Sequence, residues 1–172
     1  MGGSVEVASE LGQGSTFTLR LPLELLAPVQ PRDALPPVRP AAPDPEAPAN
    51  LQVLAAEDNP INQMVLKTLL EPAGIAPTMV INGAEAVAAW ERQKWDLVLM
   101  DIQMPGMNGL EAARAIRRRE LETGRSRTPI VAVTANAMSH QVVQYREVGM
   151  DGVVAKPVNI TSLYEAMEQA LT

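Results

Sequence analysis

Cysteine is absent from this 172-residue chain, and histidine occurs once, at His140. Without thiols there is neither a disulfide framework nor a thiolate zinc site, which fits a reducing compartment. No apolar run approaches the roughly 20 residues that a membrane crossing takes. The start, Met1-Gly2-Gly3-Ser4, lacks the basic and apolar regions of a secretory signal. A cytoplasmic location without direct membrane contact is therefore expected. Clustered basic charge is also scarce: the net charge is −6, and the one basic run is Arg117-Arg118-Arg119. That run reads as a solvated helix end complementing the macrodipole, so nucleic acid is not an expected partner. What remains is a globular balance, 47% hydrophobic and 20% charged, on a length that favours one ordinary domain and something smaller.

Three segments follow one another. Residues 1–26 hold two alternating stretches, Ser4-Val5-Glu6-Val7-Ala8 and Thr16-Phe17-Thr18-Leu19-Arg20-Leu21, around the glycine-bearing Glu10-Leu11-Gly12-Gln13-Gly14. This is the pattern of a β-hairpin, marginal by itself in water. In residues 27–50, eight of 24 positions are proline and six are alanine, the composition of an extended, semi-rigid linker. From Leu51 to Thr172, strands alternate with helices.

Within residues 51–172, Leu51 to Ala56 is a continuous apolar run, as in a strand buried on both faces, and Asn59-Pro60 supplies a cap and a first helical residue. The helix that follows carries Ile61, Met64, Val65 and Leu69 on its apolar face, until Pro72 and Gly74 end it. Further strands are expected at 77–81, at 96–100 ending on Asp101, at 129–133 ending on Thr134, and at 152–155 ending on Lys156. Between them come helices over 83–93, from about Asn108 with Leu110, Ala113 and Ile116 inward, and over 138–148, the least apolar of the set. Leu163, Met167 and Leu171 line a last one, and the methionines read as packing residues. Such alternation implies an α/β architecture: a parallel sheet with right-handed crossovers and helices on both faces. Ligands of such sheets bind beyond the carboxyl ends of the strands.

Those ends carry Glu57-Asp58, Asp101, Thr134 and Lys156. Three carboxylates gathered at one edge repel one another unless a cation lies between them. With oxygen ligands and no histidine or cysteine, the cation indicated is a hard one, Mg²⁺, helped by a backbone carbonyl, that of Gln103. An aspartate can then act as a nucleophile toward a phosphoryl group, with Lys156 neutralising charge and the Thr134 hydroxyl offering a hydrogen bond.

Taken together, Ala56-Glu57-Asp58-Asn59, Met100-Asp101-Ile102-Gln103-Met104-Pro105-Gly106-Met107-Asn108-Gly109, Val133-Thr134-Ala135-Asn136-Ala137 and Ala155-Lys156-Pro157 resemble the four signatures of bacterial response-regulator receiver domains, in family order. The resemblance covers residues 51–172. It implies a flavodoxin-like, doubly wound five-stranded sheet of order 2-1-3-4-5, Asp101 as phosphoacceptor, metal held by Glu57, Asp58 and Asp101, and a cis Lys156-Pro157 bond. Glu57-Asp58-Asn59-Pro60-Ile61-Asn62 looks like receivers fused to hybrid histidine kinases. The segment from Gly2 to Leu23 resembles the terminal strands of a histidine-kinase ATP-binding domain, without the metal-binding asparagine and first glycine box that precede them. Such a fragment cannot bind ATP productively by itself, and Gly12-Gln13-Gly14 has no following helix to make it a phosphate loop.

The expected function is phosphorelay signalling: acceptance of a phosphoryl group from a histidine kinase or histidine phosphotransfer protein, with Mg²⁺ as cofactor, in a monomer or weak dimer. It is a receiver module rather than an enzyme with a separate substrate. His140 lies outside any dimerisation-helix pattern and reads as a solvated helix residue, so the phosphohistidine belongs elsewhere. An aspartyl-nucleophile phosphatase would want an acid two residues after the nucleophile, where Gln103 stands, and a flavin module would find Glu57 and Asp58 repelling its phosphate. An active hybrid kinase would need sequence upstream of Met1, and the expected output is onward transfer of the phosphoryl group or a protein contact rather than DNA binding. One departure from the receiver pattern stands out: Val153 occupies a position, three before the lysine, where receivers commonly carry an aromatic residue. Valine cannot make the long swing of a tyrosine ring, so the element that moves on phosphorylation is expected to be the segment from Thr134 to Ser139 and the helix after it.

Overall fold

A computed structural model describes residues 4–10, 12, 14–20 and 51–172. It divides the chain into two units, Met1–Ala42 and Pro43–Thr172. The expected linker over 27–50 and the Leu21 end of the second stretch lie outside the described residues.

In the first unit, strands β1 (Ser4–Glu10) and β2 (Gly14–Arg20) pair antiparallel. Gly12 and Gly14 adopt φ of 84° and 103°, a left-handed conformation that a side chain would disfavour. Val5 sits opposite Leu19 and Val7 opposite Phe17. Because side chains alternate along a strand, these four share one face, and all four are exposed. Glu6 and Arg20 form an ion pair at 2.7 Å.

The second unit runs β3 (Val53–Ala56), α1 (Pro60–Leu70), β4 (Thr78–Val80), α2 (Gly83–Arg92), β5 (Leu97–Asp101), α3 (Gly109–Thr123), β6 (Ile130–Thr134), α4 (Ser139–Glu147), β7 (Gly152–Ala155) and α5 (Ile160–Leu171). All five strands pair parallel in the order β4-β3-β5-β6-β7, the flavodoxin-like arrangement expected. Every residue of β3, β5 and β6 is buried, which explains their unbroken apolar runs. Alternate residues serve opposite layers. Val98 and Met100 pack with Ala86 and Trp90 of α2 and Ala112, Ala113 and Ile116 of α3, while Leu97 and Leu99 pack with Leu66 and Leu70 of α1 and Leu163 and Met167 of α5. Trp90 is 1% exposed, its indole N–H donates to Thr128 Oγ1 at 2.9 Å, and the Arg125 guanidinium lies 4.2 Å from its ring centre. Trp95, also buried, donates to the Ala89 carbonyl.

Asparagine begins four of the helices. Asn59, Asn82, Asn108 and Asn159 each accept a backbone N–H of the first turn, and Asn108 completes a capping box with Glu111. Helix α4 differs: Met138 precedes it and offers no side-chain cap.

Three expectations need correction. Of the apolar face assigned to α1, Ile61, Met64 and Val65 point outward, 72%, 70% and 39% exposed, while Leu69 is partly buried and packs on the core beside Leu66 and Leu70. The inward arc is partly polar, because Asn62 and Gln63 bond Glu57, so the amphipathic reading placed only Leu69 on the correct side. Arg117 is no solvated helix end. It lies inside α3, bonds both Glu120 oxygens at 2.8 Å, and reaches the Gly149 and Thr128 carbonyls and Asp151. Only Arg118 and Arg119 are solvated. Finally, Leu171 is 41% exposed in the last turn of α5, leaving Leu163 and Met167 to line the core.

Candidate functional site

Parallel strands bring their C-terminal ends to one edge, and register decides how level those ends are. Ala56 pairs with Met100, Asp101 with Val133, and Thr134 with Ala155. Glu57, Asp101, Thr134 and Lys156 therefore succeed one another along that edge. Backbone bonds continue past the strands: Glu57 N–H donates to the Val80 carbonyl at 3.0 Å, Ile102 N–H to Val133 at 3.2 Å, and Lys156 N–H to Thr134 at 2.7 Å. Helix α3 approaches the same edge closely. A Cβ on Gly109 would fall on the Asp101 carbonyl oxygen, so only glycine fits there.

Carboxylate oxygens of Glu57, Asp58 and Asp101 lie within 4.8 Å of one another. Glu57 is 1% and Asp101 3% exposed, while Asp58 faces solvent. Lys156 Nζ sits 2.8 Å from both Asp101 Oδ2 and Glu57 Oε2. It donates an aligned hydrogen bond to Asp101. Toward Glu57 Oε2 it makes a charge contact off the hydrogen-bond line, and that buried oxygen has no aligned donor among the described residues. Glu57 Oε1 accepts from Asn62 Nδ2 at 2.9 Å and from Asn59 N–H at 3.3 Å. The Lys156-Pro157 bond is cis, as the resemblance implied.

Burial pushes the Asp101 carboxyl above its ordinary 3.8, and the Glu57 charge adds to the effect; hydrogen bonds from Lys156 and from Gln103 N–H oppose it without cancelling it. Burial alone would lower Lys156. Its hydrogen bond to the Asp101 carboxylate and the negative charges of Asp101 and Glu57 outweigh it and hold the ammonium above 10.5. Three carboxylates against one ammonium leave two surplus negative charges in a largely buried cleft. An all-oxygen donor set, a charge deficit of two and a buried carboxylate oxygen without an aligned donor suit a hard divalent ion such as Mg²⁺.

Thr134, 1% exposed, accepts the Asn136 N–H at 3.1 Å, and its hydroxyl lies 3.2 Å from that of Tyr145. The Tyr145 hydroxyl donates to the Asn136 carbonyl at 2.9 Å. Of the residues named from the sequence, Glu57, Asp58, Asp101 and Lys156 form one cluster, Thr134 ends the next strand of the same edge, and Gln103 lends its N–H to Asp101 Oδ1. Sequence reasoning missed Asn62, which orients Glu57, and Tyr145, which reaches Thr134 from α4. The available signal for the second was a tyrosine inside the least apolar helix together with a valine at 153.

Comparison with known proteins agrees with this architecture. A family model described as the response regulator receiver domain matches residues 53–168. The sensor protein GacS of Pseudomonas syringae pv. syringae is 41% identical over 145 residues, 84% of this chain and 15% of that protein. The chain thus spans a small fraction of such relatives. Among solved structures, the complex of the Saccharomyces cerevisiae phosphotransfer protein Ypd1 with the receiver domain of Ssk1 superposes with a TM-score of 0.66 at 32% identity, covering 71% of this chain and 90% of that one. The receiver domain of the Pseudomonas aeruginosa PAO1 sensor histidine kinase PA1611, which has a magnesium ion coordinated in its active site cleft, gives 0.63 at 37% identity, covering 72% and 98%. The sheet order, the acidic cluster with its lysine, and a family match across all five parallel strands together place the chain in the response regulator receiver domain family, whose members are phosphoacceptor modules.

Proposed function

We propose that this chain takes a phosphoryl group onto Asp101 from the phosphohistidine of a histidine kinase or a histidine phosphotransfer protein, as a module of a hybrid-kinase phosphorelay rather than as an enzyme with its own substrate. The observation that carries this reading is the Lys156 ammonium, 2.8 Å from both Glu57 and Asp101 inside a three-carboxylate cluster. Glu57, Asp58 and Asp101, with the Gln103 carbonyl, would hold Mg²⁺, which when bound neutralises charge on the phosphoryl oxygens. An Asp101 carboxylate oxygen attacks phosphorus, the P–O bond forms as the donor's P–N bond breaks, and the donor's imidazole leaves as the neutral ring when its other nitrogen carries a proton. Lys156 compensates the charge gathering on the transferred group, and the Thr134 hydroxyl donates to one of its oxygens.

The donor's own surface would ride on the outward face of α1, where Ile61, three residues past Asp58, and Met64, about one turn further, stand more than two-thirds exposed. Residues 1–26 are assigned to the terminal strands of a histidine-kinase ATP-binding domain, 27–50 to the linker and 51–172 to the receiver. The setting proposed is the cytoplasmic side of a sensor, with the module monomeric or weakly dimeric; among the described residues no helix is long and apolar enough to cross a membrane.

Intact mass after incubation with Mg²⁺ and acetyl phosphate tests the reading. One phosphoryl adduct is expected on the parent chain and none on Asp101→Asn; an adduct on the variant would refute Asp101. Calorimetric Mg²⁺ affinity should fall at least about tenfold in Asp58→Ala, which removes one anionic oxygen ligand, and unchanged affinity would refute the metal assignment.

A further inference from the structure

The segment after β6 is built around two hydroxyl protons. Tyr145 is 2% exposed, projects from α4 beneath the loop, and donates to the Asn136 carbonyl at 2.9 Å. The Thr134 hydroxyl already accepts the Asn136 N–H, so it has one proton to give, and two acceptors lie within reach: the Tyr145 oxygen at 3.2 Å and the Asn136 carbonyl at 3.3 Å. Both hydroxyls thus find acceptors inside the Thr134–Asn136–Tyr145 triad. The same segment holds two buried side-chain oxygens, Asn136 Oδ1 and Gln141 Oε1, with no hydrogen-bond partner among the described residues. Helix α4 itself starts without a side-chain cap. This part of the fold is therefore held by few bonds and leaves polar groups uncompensated.

We infer that Tyr145 is a positioning residue that competes with the incoming phosphoryl group for the Thr134 proton, and that this competition is what couples Asp101 to α4. The inference rests on the phosphoacceptor reading above. Thr134 can donate to a phosphoryl oxygen only by turning its proton away from the triad; with the Tyr145 proton held by the Asn136 carbonyl, no proton is then left between the two hydroxyl oxygens, and α4 stays tied to the loop by that carbonyl alone. Val153, which pairs with Ala132 on the edge strand, has no hydroxyl to take part. The role of an aromatic partner to the threonine thus falls to a residue on the helix, so the structural response belongs to α4 rather than to β7.

Beryllofluoride, which with Mg²⁺ occupies the place of the phosphoryl group, provides the test on the full chain. In Tyr145→Phe the ring is kept and the competing hydroxyl removed. Beryllofluoride affinity is expected to tighten about three- to tenfold, the scale of one neutral hydrogen bond released, and the same substitution in a Thr134→Val background is expected to change nothing. In the parent protein beryllofluoride should speed amide exchange over residues 139–148, and in Tyr145→Phe exchange there should already be fast and no longer respond. Affinity within twofold of the parent, an equal change in the Thr134→Val background, or a parent response centred on residues 152–155 would each overturn the inference. The parent exchange measurement needs no variant to fold. A parent chain that takes up no beryllofluoride would instead overturn the phosphoacceptor reading on which the inference rests.

Discussion

Asp101 is held in a conflict that the folded chain does not resolve alone. Its carboxyl is raised above 3.8, chiefly by burial, so the folded state binds its proton more tightly than the unfolded state does. The stabilising contribution of the neutral acid is fully present below 3.8 and is lost as pH rises through the raised value, leaving an unfavourable carboxylate at neutral pH. Asp101→Asn is therefore expected to raise the thermal midpoint at pH 7 without Mg²⁺, by about 4 °C for each kcal/mol relieved. The gain should shrink toward pH 3.8, and Mg²⁺ should stabilise the parent more than the variant; a lower midpoint for the variant at pH 7 would contradict this account. Lys156 behaves oppositely: with its folded value above 10.5, its contribution holds at all lower pH and is lost only as pH climbs through that raised value. Glu57, Asp58, Asp101, Thr134 and Lys156 were legible in the sequence because each follows an apolar run that announces a strand end. Asn62 and Tyr145 were not. Their parts depend on which way a helix is turned about its axis, and spacing alone does not fix that when polar residues lie on the inward arc.

At the level of elements, the strands were easier to read than the helix faces. Strands β3, β5 and β6 are buried on both sides, so any register satisfies the pattern, whereas α1 offers apolar residues on two arcs, Ile61, Met64 and Val65 outward and Leu66, Leu69 and Leu70 inward. Arginine 117 shows the same limit for charge. In sequence it is one of three arginines, yet its side chain is 13% exposed while that of Arg118 is 68% exposed. Arg117 joins α3 to the Thr128 and Gly149 carbonyls and neutralises Glu120, itself 7% exposed. Arg117→Met would leave that carboxylate buried without its cation, held only by the Thr128 N–H at 2.7 Å, an expected loss of about 3 kcal/mol by denaturant titration. The same change at Arg118, whose Glu122 partner lies 3.8 Å away in solvent, should stay within about 0.5 kcal/mol. Equal losses at the two positions would show that the buried network carries no special weight.

On the scale of the whole molecule, alternation of strands and helices announced a parallel α/β sheet, but not the order of its strands. That order entered through the receiver signatures, because pattern alone does not say on which side of β3 the next strand lies. All the proposed site residues fall within 51–172, inside the second unit. A fragment of those residues is accordingly expected to keep the parent's Mg²⁺ affinity by calorimetry within about twofold; a large loss would mean that the first unit contributes to the site. The two tryptophans carry a further consequence. Trp95 precedes β5 and Trp90 is fastened to Thr128, just before β6, so both indoles lie at the amino ends of strands whose carboxyl ends form the cleft. Trp95 stands six positions before Asp101, roughly 20 Å at about 3.3 Å per residue. Intrinsic emission should then change sharply when the core opens and scarcely at all when Mg²⁺ binds, so one sample can report melting optically while occupancy is read as heat, and a large Mg²⁺-induced change in emission would show that the two ends of the sheet communicate.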